Sequence, residues 1–189
     1  MLNKQLLLTL SLSALLLAGC STTHYISITP QANVATKNLT NDRVIKVSTS
    51  TQLTNSVGSI KTALNERASI YTTNDINESV KESVLSGLRR LGFTPEQGVM
   101  PPADFKIEIT KMSYVTKVET LKTVATLDFE LKATLTAKGQ TYTANYGSQK
   151  IKEYGTMPYQ QDTEDNMNDL ASQTVKRLLS DPNVIILLK

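Results

Sequence analysis

The chain has 189 residues, 20 Lys and Arg against 17 Asp and Glu, and 40% hydrophobic residues, the balance of a single globular domain. One cysteine (Cys20) and one histidine (His24) exclude a disulfide framework and a Cys/His zinc site, which draws on about four such ligands. A dispersed net charge of +3 gives no ground for a nucleic-acid partner.

Residues 1–19 read as a cleaved signal peptide. Lys4 supplies a positive start, Leu6–Ala18 is an apolar run, and the small residues Ala18 and Gly19 precede Cys20. A spanning helix needs about 20 apolar residues, so this run is too short to cross a bilayer. Leu17-Ala18-Gly19-Cys20 resembles the bacterial lipobox. That resemblance implies a diacylglycerol thioether on Cys20, cleavage before it and an N-acyl (palmitate-type) chain on the new amine, with no other cofactor. Ser21, in place of an aspartate, implies sorting to the outer membrane, facing the periplasm. Residues 20–24 then form a lipidated tether, and 25–189 a single periplasmic domain.

Tyr25–Thr29 alternates around Ile26 and Ile28, stops at Pro30, and predicts a strand. After an aperiodic loop over 31–42, Arg43–Thr49 predicts a second strand. A third strand region spans Ser59–Thr73, interrupted near Asn65–Arg67. The first helix is marked by Asn74 or Asp75 as cap, Glu78 in box-like spacing, and a stripe of Ile76, Val80, Val84, Leu88 and Leu91. Gly92 stops it, and Gly87 inside it points to a close-packing site.

Phe105, Ile107 and Ile109 then share one face before the apolar phase slips to Met112, Tyr114 and Val118, which predicts a β-bulge. Leu127, Phe129, Leu131, Ala133, Leu135 and Ala137 alternate with polar residues, as in a sheet with one solvated face. Lys138-Gly139 turns the chain into Gln140–Lys150. A loop over 153–161 leads to a helix over Thr163–Leu179, ended by Asp181-Pro182. Val184–Leu188 fits either a short helix or an extended end. These elements predict an α+β two-layer sandwich, an antiparallel sheet with two helices on its apolar face.

Across nearly its full length the chain resembles the YajG-type lipoproteins, a family of uncharacterised Gram-negative envelope lipoproteins. Beyond the lipobox, the resemblance rests on Tyr25-Ile26-Ser27-Ile28-Thr29-Pro30, Val57-Gly58, Ile70-Tyr71-Thr72-Thr73-Asn74-Asp75-Ile76 and Leu91-Gly92-Phe93. It implies an outer-membrane lipoprotein and transfers no residue role except that of Cys20.

No catalytic motif emerges. His24 sits in the expected tether, where nothing would hold it in working geometry. Nucleophile-elbow, Ser-x-x-Lys and phosphate-cradling glycine motifs are absent from the sequence. Asp162, Glu164, Asp165 and Asp169 cluster at the second helix, where acids complement the dipole. Asp128, Glu130 and Lys132, with Lys106 and Glu108, line the solvated sheet face, as ion pairs or as a charged groove. Arg89, Arg90, Lys117 and Lys122 read as solvated surface. Tyr154, Met157 and Tyr159 in the 153–161 loop suit either an interaction site or a flap that completes the core.

The reading that follows is a non-enzymatic interaction module of the cell envelope. Its partners would be the membrane, through the anchor, and an envelope protein or cell-wall component. The alternative is a carrier or receptor for a lipid or cell-wall fragment held between helices and sheet. A carboxylate hydrolase is the third possibility.

Overall fold

The computed structural model describes residues 21–189; the expected signal peptide and Cys20 lie outside the described residues. In chain order the elements are β1 (Ser21–Ile26), β2 (Arg43–Thr51), β3 (Ser56–Lys61), β4 (Arg67–Thr72), α1 (Ile76–Arg90), β5 (Met100–Val118), β6 (Thr123–Ala137), β7 (Gln140–Tyr154), α2 (Gln160–Ser180) and α3 (Pro182–Leu188). The seven strands form one open sheet in the order β1-β4-β3-β5-β6-β7, with β2 pairing β5 off that path.

That sheet is mixed, which corrects the antiparallel sheet expected from sequence. Hairpins give antiparallel β3–β4, β5–β6 and β6–β7, whereas β1–β4, β2–β5 and β3–β5 are parallel. Each parallel pair joins strands separated in the chain by other structure, as parallel pairing requires. One edge of β5 is shared. β2 takes its first half, from Arg43 opposite Met100 to Thr51 opposite Ile109, and β3 takes the second half at Tyr114 and Val115.

The predicted bulge is present. Register shifts between Ile109 and Lys111 opposite β6, so Phe105, Ile107, Ile109, Met112 and Tyr114 all bury on the same side. At the β6–β7 hairpin, Lys138 and Gly139 both have positive φ, 54° and 72°, the signature of a two-residue type I′ turn.

The tether is also corrected. Ser21–His24 belongs to β1, whose register runs from Ser21 opposite Arg67 to Ile26 opposite Thr72. Polar Ser and Thr residues concealed a strand whose β-branched and aromatic residues suit a pleated, half-buried surface.

Asp75 caps α1, its side chain accepting from the Asn77 and Glu78 amides. At the other end Gly92 (φ 97°) donates to Arg89 O and Phe93 to Leu88 O, a Schellman closure. Gly87 is a close approach, as expected: a Cβ there would fall 2.2 Å from Leu179 Cδ1 and 2.7 Å from Ala32 Cβ. The C-terminal segment, which the sequence left open between a short helix and an extended end, is helical over Pro182–Leu188 and adds to the two helices expected on the sheet. Asp181 caps it through Asn183 N, and Pro182 fits its first turn.

α2 contacts β6, β7 and β1, while α1 contacts β2 and α2. One continuous core results, in which Val84, Leu127, Phe129, Leu131, Leu170 and Leu178 are fully buried.

Candidate functional site

Two regions gather polar chemistry or exposed apolar side chains. The first is the free edge of the chain's first strand. Backbone amides of Tyr25, Ser27, Thr29 and Gln31 donate to Gln160 Oε1 (3.1 Å), Glu164 Oε2 (2.9 Å), Asn168 Oδ1 (2.6 Å) and Ser172 Oγ (2.8 Å). The acceptors recur every four residues of α2, a rise of about 6 Å, and the donors every two residues of extended chain, about 6.5 Å. Because the two repeats nearly coincide, a helix face stands in for a missing neighbouring strand. Asn168 Nδ2 also donates to Ser27 O at 2.8 Å. On the other side of the segment Asn74 accepts from Ile28 N and donates to Ile28 O, at 2.9 and 2.8 Å.

His24 lies inside this arrangement rather than in a free tether. It is 6% exposed, its Nδ1 is 3.3 Å from Thr163 Oγ1, and burial lowers its pKa. Thr163 Oγ1 also donates to Tyr159 O at 3.3 Å, which ties the pair into the first turn of α2.

The acids at the start of α2 disperse into separate tasks. Glu164 holds the Ser27 amide, Asp165 accepts from Gln161, Asp169 pairs with Lys150 at 3.2 Å, and Asp162 occupies the first turn. Among the described residues no group of three or more His, Cys, Asp or Glu is placed to hold a metal ion.

On the exposed sheet face Asp128 is the centre. It receives Gln149 Nε2 (2.8 Å), Ser113 Oγ (3.2 Å) and Lys111 Nζ (3.1 Å). Burial alone would raise its pKa, but these donors outweigh that and hold it below the ordinary value. Glu130 lies 3.7 Å from the same Lys111. Glu108 stands opposite Lys132, and Lys106 opposite Thr134. Cross-strand polar pairs therefore account for this face.

The second region is the end of the sheet where β1 begins. Of the three loop residues singled out from sequence, Tyr154 and Met157 pack against the core and Tyr159 stands 81% exposed. Tyr114 Oη donates to Tyr154 Oη at 3.3 Å, and burial raises the pKa of both phenols. The Met157 amide donates to Glu66 Oε2 at 2.9 Å, joining this loop to the β3–β4 turn. Lys122 reaches Glu153 at 2.8 Å and Glu119 at 3.7 Å, and Arg89 pairs with Glu96.

Open grooves of about 570 and 630 Å3 flank residues 29–33, one against α1 and the other against α2. Both lie at the surface, outside the space between helices and sheet. Ser83 Oγ, buried beside the first groove, has no hydrogen-bond partner.

Among the described residues, seven strands in an open mixed sheet and three helices define a mixed α+β domain. The chain belongs to an uncharacterised lipoprotein family, whose model (Lipoprotein_16) matches residues 30–189, in line with the YajG-type resemblance. No curated protein sequence matches it. Among solved structures it is similar to XCC0632 from Xanthomonas campestris, of the family DUF330. The TM-score is 0.58 at 9% identity, over 87% of this chain and 95% of that one. A second structure, an uncharacterized protein, aligns with a TM-score of 0.48 at 10% identity over 90% and 100% of the two chains. At 9% identity the likeness to the first is one of fold. Membership of a lipoprotein family goes with a membrane-anchored envelope location.

Proposed function

We propose that this protein is an outer-membrane lipoprotein, acylated on Cys20 and facing the periplasm, that works as a non-enzymatic interaction module. The helices and sheet are read as the two layers of a sandwich. The observation that carries the choice over a carrier is the filled space between them. Leu127, Phe129, Leu131 and Val84, which would line an interior lipid site, are fully buried in one continuous core. Anchoring raises the effective concentration of a weak contact with an envelope protein or cell-wall component.

The test is in-cell crosslinking of the wild type and a Cys20→Ala variant. The wild type should capture a reproducible envelope partner. The variant should leave the membrane fraction and lose that partner, with an unchanged denaturation midpoint for the purified domain. Full capture and full activity by the unacylated form would overturn the reading. A small-ligand reading draws on the groove beside α1, where the unpartnered Ser83 hydroxyl lies near Glu82. A lipid or cell-wall fragment co-purifying with the domain, in place of a protein, would favour it.

A further inference from the structure

We propose that the end of the domain from which Cys20 departs is a bilayer-facing surface, seated on phospholipid headgroups around the anchor. This rests on the acylation of Cys20 proposed above. The covalent geometry leaves no slack: Ser21, the next residue, is already paired with Arg67 in the sheet. Consecutive Cα atoms are about 3.8 Å apart, so acyl chains on Cys20 would enter the membrane within one residue of folded backbone. What surrounds Ser21 then lies at the headgroups.

Hydrogen bonds bring the β3–β4 turn, the β5–β6 turn and the loop after β7 to this end. Ala63 N donates to Thr123 Oγ1 at 3.2 Å and Met157 N to Glu66 Oε2 at 2.9 Å. Each of the three carries an exposed apolar residue: Leu64 (64%), Leu121 (87%) and Tyr159 (81%). Single exposed apolar residues are common, but here they occupy separate turns around one anchor point.

A basic row borders them. Lys61 stands opposite Arg67, and the pairing of Ser59 with Val115 brings Lys61 alongside Lys117. Arg67, Lys61 and Lys117 thus lie on adjacent strands, and among the described residues none of the three makes an ion pair. Apolar tips beside free cations match a membrane interface. Leucine and tyrosine side chains reach the headgroup–acyl boundary while lysine and arginine meet lipid phosphates.

The experiment uses the acylated mature protein, beginning at Cys20, in vesicles of phosphatidylethanolamine and phosphatidylglycerol. An acylated Cys20 has no free thiol, so Leu64→Cys, Leu121→Cys, Tyr159→Cys and Val99→Cys each introduce a unique one. Val99 is 95% exposed and precedes β5 at the opposite end of that strand from Val118, which makes it the control. Each thiol receives a polarity-sensitive fluorophore. Emission should shift to shorter wavelength, with protection from a soluble quencher, at positions 64, 121 and 159 and not at 99.

Vesicle-bound protein whose four probes all emit as in water would overturn the membrane face while leaving the anchor intact, and would return these tips to a protein partner. Wild-type protein that reacts at Cys20 and stays in the aqueous phase would overturn the anchor and the face together. In a Lys61→Glu, Lys117→Glu background, the shift at position 121 should no longer grow with the phosphatidylglycerol fraction. Unchanged growth would overturn the role of the basic row.

Discussion

Asn168 grips the backbone two residues apart, accepting from the Thr29 amide at 2.6 Å and donating to the Ser27 carbonyl at 2.8 Å. It is the third rung of the α2 ladder and the only one that satisfies both a donor and an acceptor of the 25–31 segment. An open strand edge invites pairing with other chains, and here helix side chains cover it. The ladder therefore both orders residues 25–31 and covers an edge on which another chain could pair.

Removing that rung leaves two backbone groups to find water. Asn168→Ala should cost about 1–2 kcal/mol. Asn168→Asp, which keeps the acceptor and loses the donor, should fall between it and the wild type. Urea denaturation midpoints give the ordering directly. Equal stability of all three proteins would show that solvent replaces the rung without cost.

Gly87→Ala sets two effects against each other. Alanine favours an exposed helix interior by about 1 kcal/mol. Here the new methyl would meet Leu179 Cδ1 at 2.2 Å and Ala32 Cβ at 2.7 Å. Leu179 can rotate away, but Ala32 moves only with its backbone, and overpacking of this kind costs about 1–3 kcal/mol. The variant should be less stable by calorimetry, and adding Leu179→Ala should not restore it fully because the Ala32 contact persists. A stabilised single variant would mean that the two helices separate freely.

Much of this arrangement was legible in the sequence. The α1 stripe, its Asp75 and Gly92 ends, the bulge after Ile109 and the Lys138-Gly139 turn each follow from local periodicity or backbone preference, which neighbouring residues determine. Parallel pairing did not, because strand direction depends on contacts between segments as distant as Arg43 and Met100. The loop residues divided for the same reason. Nothing local distinguishes Tyr154, which packs beneath Tyr114, from Tyr159, which points outward. The four-residue spacing of Gln160, Glu164, Asn168 and Ser172 went unread in the sequence, because its partner is backbone, which carries no sequence signal. Reading Ser21–His24 as a tether followed from composition alone and hid the burial of His24.

His24 gives the chain a pH dependence of its own. Burial lowers its pKa below 6.5, so the unfolded state takes up a proton at a higher pH than the folded state. Stability should be full above the unfolded value of about 6.5 and decline as pH falls below it, levelling off beneath the folded value. As the sole histidine, it is the only side chain with an ordinary pKa in that range. Urea midpoints of wild type and His24→Gln at pH 7.5 and 5.5 should converge or cross as pH falls, since only the wild type acquires a buried charge. A constant difference between them would rule out histidine titration as the cause.

Asp181 should add a second loss of stability at lower pH, this time because its charged form is the one the fold favours. Its carboxylate receives Tyr146 Oη at 2.5 Å, Tyr142 Oη at 2.8 Å and the Asn183 amide at 2.8 Å, tying β7 to the corner between α2 and α3. Burial pushes its pKa up, but the donors prevail and hold it below the usual 3.8. A depressed folded value means that the charged form stabilises the fold above the unfolded pKa, and this contribution fades as pH falls through the folded one. Asp181→Asn keeps a capping side chain for α3 and loses the charge, at a cost of about 1–2 kcal/mol near neutrality. That cost should begin to shrink as pH falls below the unfolded value of about 3.8 and fade further as the folded carboxylate, held lower, takes up its proton. Tyr146→Phe should reproduce part of the loss and the same pH trend, because it removes a donor that lowers the Asp181 pKa. Denaturation curves for the three proteins from pH 7 to pH 3 supply the check, and a gap that stays constant over that range would assign the stabilisation to shape rather than charge.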